Sequence, residues 1–231
     1  LLCSDTGTFN WSLVDDHGTA IFMPYVSSGF NPNDITHTCT AMRATSADGY
    51  ATWTAISPAF TCRHIHTCGY HAALGRWVLA VEPWGTPASN VRTANTWFTS
   101  DDDGVTWAEK AAQNVVSDQP VRFLDYGHAT RIMFGSDSHA ALGWVDISDG
   151  AFGLHGSFFD GDNRVDSMRF VWVMTYHDGV YYAATQNQGT TSPLNNALMV
   201  SRDLIHWAMY HCVTPGDYGI QSLIGPCADG K

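Results

Sequence analysis

Residues 62–71 read Cys62-Arg63-His64-Ile65-His66-Thr67-Cys68-Gly69-Tyr70-His71, the densest run of metal-ligating side-chain types in the chain. In an extended strand His64 and His66 share a face, and two imidazoles with a thiolate are ligands that zinc accepts. Two further readings stand beside that one: a small loop disulfide between Cys62 and Cys68, or purely structural roles. Arg63, Arg122 and Arg169 are a second set, since guanidinium forks match carboxylates; the alternative pairs each with a nearby acid such as Asp118 or Asp166. A third set is the carboxylates Glu82, Asp118, Asp162 and Asp217, from which a general acid and a general base can be drawn. Phe30, Trp84 and Tyr218 lie in loops rich in amides (Asn31, Asn33, Gln186, Gln188, Asn195, Asn196). Flat rings beside amide groups suit the apolar face and the hydroxyls of a sugar.

What positions these residues is a repeat. Ser100-Asp101-Asp102-Asp103-Gly104-Val105-Thr106-Trp107 has the form Ser-x-Asp-x-Gly-x-Thr-Trp, and the chain carries weaker copies. Ser46-Ala47-Asp48-Gly49-Tyr50-Ala51-Thr52-Trp53 keeps Ser, Asp, Thr and Trp in step. Ser201-Arg202-Asp203-Leu204-Ile205-His206-Trp207 keeps Ser, Asp and Trp in a shorter turn. Ser148-Asp149-Gly150-Ala151-Phe152 ends on Phe, and Asp5-Thr6-Gly7 leads to Trp11. The closing aromatics stand at 11, 53, 107, 152 and 207, with separations of 42, 54, 45 and 55 residues. Self-similarity at such a period marks a repeat architecture. Within each copy, Asp can accept backbone N–H bonds of its own turn and Gly supplies a positive φ.

These residues resemble the Asp-box, or bacterial neuraminidase repeat, of sialidase-like β-propellers. The resemblance implies a hairpin between the third and fourth strands of each blade, with the aromatic ring packed between blades and a structural role for the box. It also implies that ligands belong on the opposite face, where sialidases hold a carboxylate with an arginine triad. The early Phe/Tyr-Arg-Ile-Pro motif of sialidases is absent, and no Tyr–Glu pair stands out. The Ser-x-Asp-Leu-x-x-Trp form of 201–207 also resembles a turn of five-bladed glycoside hydrolases, although their early catalytic Asp motif is not recognisable here.

Composition agrees with many short strands: 13% aromatics, 21 glycines in 231 residues and no long apolar helical pattern. No run of 18 apolar residues is present, so no helical membrane span is expected. The net charge of −11 comes from 22 acidic against 11 basic residues, which disfavours binding to phosphate backbones. All the acids except Glu82 and Glu109 are Asp, the residue of turns. Six cysteines (Cys3, Cys39, Cys62, Cys68, Cys212, Cys227) are compatible with disulfides in an oxidising compartment.

The expected fold is therefore all-β: one propeller domain over 1–231, whole or as part of a larger chain, five-bladed and closed by both termini, or an incomplete six-bladed ring. In it, 63–72, 76–81 and 96–99 form three strands before the box at Ser100; 121–126, 131–134 and 142–147 precede Ser148; 169–175, 180–184 and 197–200 precede Ser201. The unit ending at Trp53 has room for about three strands. Loops on the face away from the boxes place Arg63, Glu82, Trp84, Arg122, Asp162, Arg169 and Tyr218 as ligand-binding candidates. The expected function is non-catalytic glycan or surface recognition in an extracellular or virion-associated protein, with a larger assembly as context. A glycoside hydrolase and a structural virion module are the alternatives. No cofactor, nucleic acid or membrane insertion is expected.

Overall fold

Strand-length runs of β-branched and aromatic residues, punctuated by Gly and Asp turns, pair with their sequence neighbours in a computed structural model. It describes residues 8–26, 38–57, 59–62, 64–82, 95–113, 120–124, 129–136, 141–148, 152–157, 170–186 and 196–213. Sheet I contains β1 (Thr8–Asp16), β2 (Thr19–Val26), β4 (Met42–Thr45) and β5 (Thr54–Ala55), in that spatial order. Sheet II contains β7 (His64–His71), β8 (Arg76–Glu82), β9 (Asn95–Ser100) and β10 (Ala108–Gln113). Sheet III contains β11 (Pro120–Leu124), β12 (Arg131–Ser136), β13 (Ala141–Asp146) and β14 (Phe152–Ser157). Sheet IV contains β15 (Phe170–His177), β16 (Val180–Gln186), β17 (Asn196–Ser201) and β18 (Trp207–Val213). Each is a four-stranded up-and-down antiparallel sheet. A two-stranded ribbon pairs β3 (Thr38–Cys39) with β6 (Phe60–Thr61).

Two compact units result. The first comprises 1–116 with 127–130 and 146–151; the second comprises 117–126, 131–145 and 152–231. In the first, Ile21 and Met23 of β2 meet Trp77, Leu79 and Val81 of β8, and the ribbon adds Cys39, Phe60 and Cys62. In the second, Met133 and Leu142 of sheet III pack with Val171, Met174, Ala183, Ala197 and Met199 of sheet IV.

One sequence expectation is corrected here. The segment 8–55 forms a complete four-stranded sheet rather than three strands, and Trp11 lies inside β1, its first strand. Trp11 therefore closes no turn between third and fourth strands. Asp5 and the termini expected to close the ring, 1–7 and 214–231, lie outside the described residues.

Within each sheet, the turn between the first two strands and that between the last two lie at one end. Two of the first-to-second turns are two-residue hairpins with both residues at positive φ: His17 and Gly18 (51° and 72°), and Asp178 and Gly179 (48° and 75°). That is the backbone of a type I′ turn, whose twist matches the strands. The opposite, open end of each sheet carries the start of the first strand and the end of the second.

Candidate functional site

The turns closed by tryptophan show what their polar residues do. Ser100 Oγ donates to Asp102 Oδ1 at 2.8 Å and accepts from the Gly104 N–H at 2.8 Å. Asp102 also accepts the Thr106 N–H at 2.8 Å and the Thr106 hydroxyl at 2.6 Å. These bonds favour the charged carboxylate, holding its pKa near 2, with Thr106 the main cause. Asp103 and Gly104 take positive φ (56° and 80°). A Cβ at Gly104 would meet Ile21 Cδ1 of sheet I at 2.9 Å, so this turn seats closely on its neighbour. Trp107 donates from Nε1 to the Gly104 carbonyl at 3.1 Å, and its ring meets Phe60 edge-on with centroids 6.1 Å apart.

The other turns vary the theme. Asp48 accepts the Thr52 N–H at 3.0 Å, and its pKa is lowered chiefly by the Thr52 side chain. Trp53 lies edge-on to Phe22, with centroids 6.5 Å apart. At 201–207 the left-handed position falls to Leu204 (φ 64°), whose side chain is nevertheless buried with Trp207 in the second core. Asp203 Oδ1 accepts the N–H groups of Ile205 and His206, while Oδ2 meets His206 Nδ1 at 2.7 Å. In sheet III the carboxylate with this role is Asp146, which accepts from Ser148 N and Oγ (3.0 and 2.6 Å) and from Thr130 Oγ1 (2.9 Å). Sequence reasoning passed over Asp146 because it precedes the Ser. Asp149 lies outside the described residues, and Phe152 is the first residue of β14, opposite Val145.

The Asp203–His206 pair carries a pH prediction. The Asp203 hydrogen bond raises the His206 pKa, and His206 in turn is the main cause lowering that of Asp203. The His206 contribution is fully present below its ordinary value of 6.5 and is lost as pH rises through the raised folded value. The Asp203 contribution is present above 3.8 and is lost as pH falls through the lowered folded value. An NMR titration is expected to place His206 above 6.5 in the native chain and back near it in Asp203→Asn. Equal values in the two proteins would refute the coupling.

The open ends share a second device, a bulge in the first strand. Register shifts fall between Asn10 and Ser12, Ile65 and Thr67, Pro120 and Arg122, and Val171 and Val173, so Trp11, His66, Val121 and Trp172 are the extra residues. Bulges cluster at rims and next to sites because they re-aim the strand. Sequence alternation cannot reveal them. The bulge at His66 breaks the two-residue period on which a shared face for His64 and His66 depended. His66 is buried, and no cluster of three or more metal-ligating side chains occurs among the described residues. Cys39, Cys62 and Cys68 are buried thiols, and burial pushes the Cys68 pKa well up. No Cys62–Cys68 disulfide forms.

Of the ligand-binding candidates, Glu82 ends β8, directly opposite His64 at the open end of sheet II. Arg122 lies inside β11 opposite Gly135. Arg63, Trp84, Asp162, Arg169 and Tyr218 lie outside the described residues. The three arginines do not hold one position in the repeat. Arg63 and Arg169 stand three residues before their strand's bulge, and Arg122 one residue after; the residue with the matching offset is Asp118.

No protein-family profile matches the sequence, and no curated protein matches it either. Solved structures do match its shape. A family 117 glycoside hydrolase from the marine bacterium Zobellia galactanivorans aligns with a TM-score of 0.53 and 12% identity, over 90% of this chain and 69% of that one. A GH43 protein from Bacillus licheniformis aligns at 0.56 and 13%, over 88% and 42%. An arabinanase from Bacillus subtilis aligns at 0.51 and 13%, over 90% and 80%. The fold is that of the five-bladed β-propeller. This chain spans about two thirds of the family 117 enzyme and under half of the GH43 protein. Propellers carry ligands in loops around the central channel.

Proposed function

We propose that this propeller acts on carbohydrates and hydrolyses glycosidic bonds. The observation that carries the reading is the likeness in fold to glycoside hydrolases over 88–90% of the chain. Sequence alone favoured non-catalytic recognition; the structural neighbours favour hydrolysis. Fold likeness by itself assigns no residue, so the chemistry rests on the open ends. Glu82, one of two glutamates in the chain, stands at such an end, whereas Glu109 lies in the exposed fourth strand of its sheet. In this reading Glu82 protonates the leaving oxygen and a second carboxylate serves as base or nucleophile. Asp118, Asp162 and Asp217 are the candidates for that partner. The Ser100–Trp107 network supports the finer reading that the repeats are Asp-boxes of structural role.

The test is turnover of aryl arabinofuranosides, xylosides and galactosides and a fluorogenic sialoside, with a glycan array run in parallel. Hydrolysis of at least one substrate is expected, falling at least about 100-fold in Glu82→Gln, the scale of a lost general acid. Array binding without turnover would return the function to recognition. Silence in both would favour a structural module.

A further inference from the structure

We propose that His64 is a positioning residue for Glu82 and that the two hold a single proton between them. The inference rests on the reading of Glu82 as the acid and adds what keeps that acid supplied. Register carries it. His64 and Glu82 are Cα partners in the β7–β8 ladder, and so are Ile65 and Val81. Directly opposed residues share a face, with Cβ atoms about 5 Å apart. The His66 bulge creates this pairing. On its far side Thr67 pairs with Ala80. That register, run on without the extra residue, would set Ile65 rather than His64 against Glu82. The bulge instead keeps Ile65 with Val81 in the buried core and leaves a histidine opposite the glutamate. Re-aiming a strand beside a site is what bulges do.

The repeat shows that the fold does not demand such a pair. The same position, two residues before the bulge, holds Phe9 in sheet I and Phe170 in sheet IV. Their partners near the end of the second strand are Tyr25 and Gln186. In sheet III the position falls on Gln119, outside the described residues. Of the three sheets described there, sheet II alone sets a base against an acid.

Among the described residues, other charges on this face are distant. Alternation puts Glu82 on the face of β8 that holds Arg76, Val78 and Ala80. Arg76 and its partner His71 lie at the other end of the ladder, roughly 20 Å away at the usual rise per residue. β9, on the other side of β8, carries no ionisable residue. Sheet I packs on the opposite face, where Ile21 and Met23 meet Trp77, Leu79 and Val81. The titratable groups of its β1 and β2 are Asp15, Asp16 and Tyr25, and His66 is buried in the bulge itself.

An acid and a base held together titrate as a pair. Each charged form favours the other, carboxylate and imidazolium. The pair therefore keeps one proton from below about 4.3, the ordinary glutamate value, to above about 6.5, the ordinary histidine value. A solitary Glu82 would lose its proton near the lower figure. When Glu82 passes the shared proton to the leaving oxygen as the glycosidic C–O bond breaks, a proton from solvent restores the pair.

Two measurements on the full chain test the pair. In the first, the His64 ring is titrated by NMR. Its midpoint is expected above about 6.5 in the native chain and lower by about half a unit or more in Glu82→Gln. In the second, kcat/KM is followed against pH with whichever aryl arabinofuranoside, xyloside or galactoside is hydrolysed. The alkaline limb should move toward acid by about one pH unit or more in His64→Gln. His64→Phe places there the residue type of sheets I and IV, so it should fold, as a melting curve checks, and move the limb alike. Equal His64 midpoints in the native chain and Glu82→Gln overturn the proposal even where turnover is robust. An unmoved limb in both His64 variants overturns it as well. Absence of turnover by the native chain on every substrate sinks the hydrolase reading, and the role of His64 with it, whatever the titration gives.

Discussion

Replacing Trp77 with Ala is expected to lower the free energy of unfolding by about 3–5 kcal/mol, the range for an aromatic removed from a packed core. Trp77 is fully buried, centred in the first unit with Leu79, Ile21 and Met23, and meets Tyr70 edge-on with ring centroids 5.8 Å apart. Its cluster joins residues of two strands, β2 and β8, and of the β3–β6 ribbon, so collapse into the cavity is restricted. Trp77→Phe should cost much less. The indole N–H has no hydrogen-bond partner among the described residues, and Phe removes that buried donor along with some volume. Urea denaturation read by circular dichroism checks both, as a shift in midpoint at unchanged slope. A loss under about 1 kcal/mol for the Ala variant would be surface-like and would show that Trp77 does not organise this core.

Gly135→Ala is expected to be nearly as damaging, by about 3 kcal/mol, through the opposite fault of overpacking. A Cβ there would collide with the carbonyl oxygen of Val171 and lie 2.8 Å from its Cβ. The obstacle is the backbone of β15, so a rotamer change gives no relief. Sheets III and IV meet at this point in the second unit, and Ala would push them apart. The comparison variant is Gly179→Ala, where nothing lies within 4 Å. Its cost comes only from the positive φ of 75° and should be about 1 kcal/mol. Melting of the two variants separates the mechanisms. Equal losses at the two glycines would refute the close approach of β12 to β15.

Much of the strand order was legible because a strand between tight turns has few competitors. The runs at 76–81, 131–134 and 180–184 became second strands β8, β12 and β16. His177-Asp178-Gly179 became a two-residue hairpin because Asp and Gly tolerate the positive φ that the turn demands. The turn networks were legible for the same local reason: Asp102 and Asp203 bond to N–H groups two to four residues away. The motif at Asp5–Trp11 was misread. An Asp-x-Gly before a Trp occurs by chance, and only strand pairing showed that Trp11 sits in a first strand. The candidate ligand site was far less legible. Five of its seven residues lie outside the described ones, and the arginine coincidence dissolved once the bulges set the true offsets.

The sequence by itself determined that this chain is a repeat of antiparallel strands held by acidic turns, because those turns close through bonds within a few residues. Only the tertiary structure decided that Trp11 sits in a first strand, that Asp146 serves in place of a Ser-first motif, and that His66 sits in a bulge. These features depend on register and on which sheet lies against which. Both are set by contacts between residues far apart in the chain, and no local pattern encodes them.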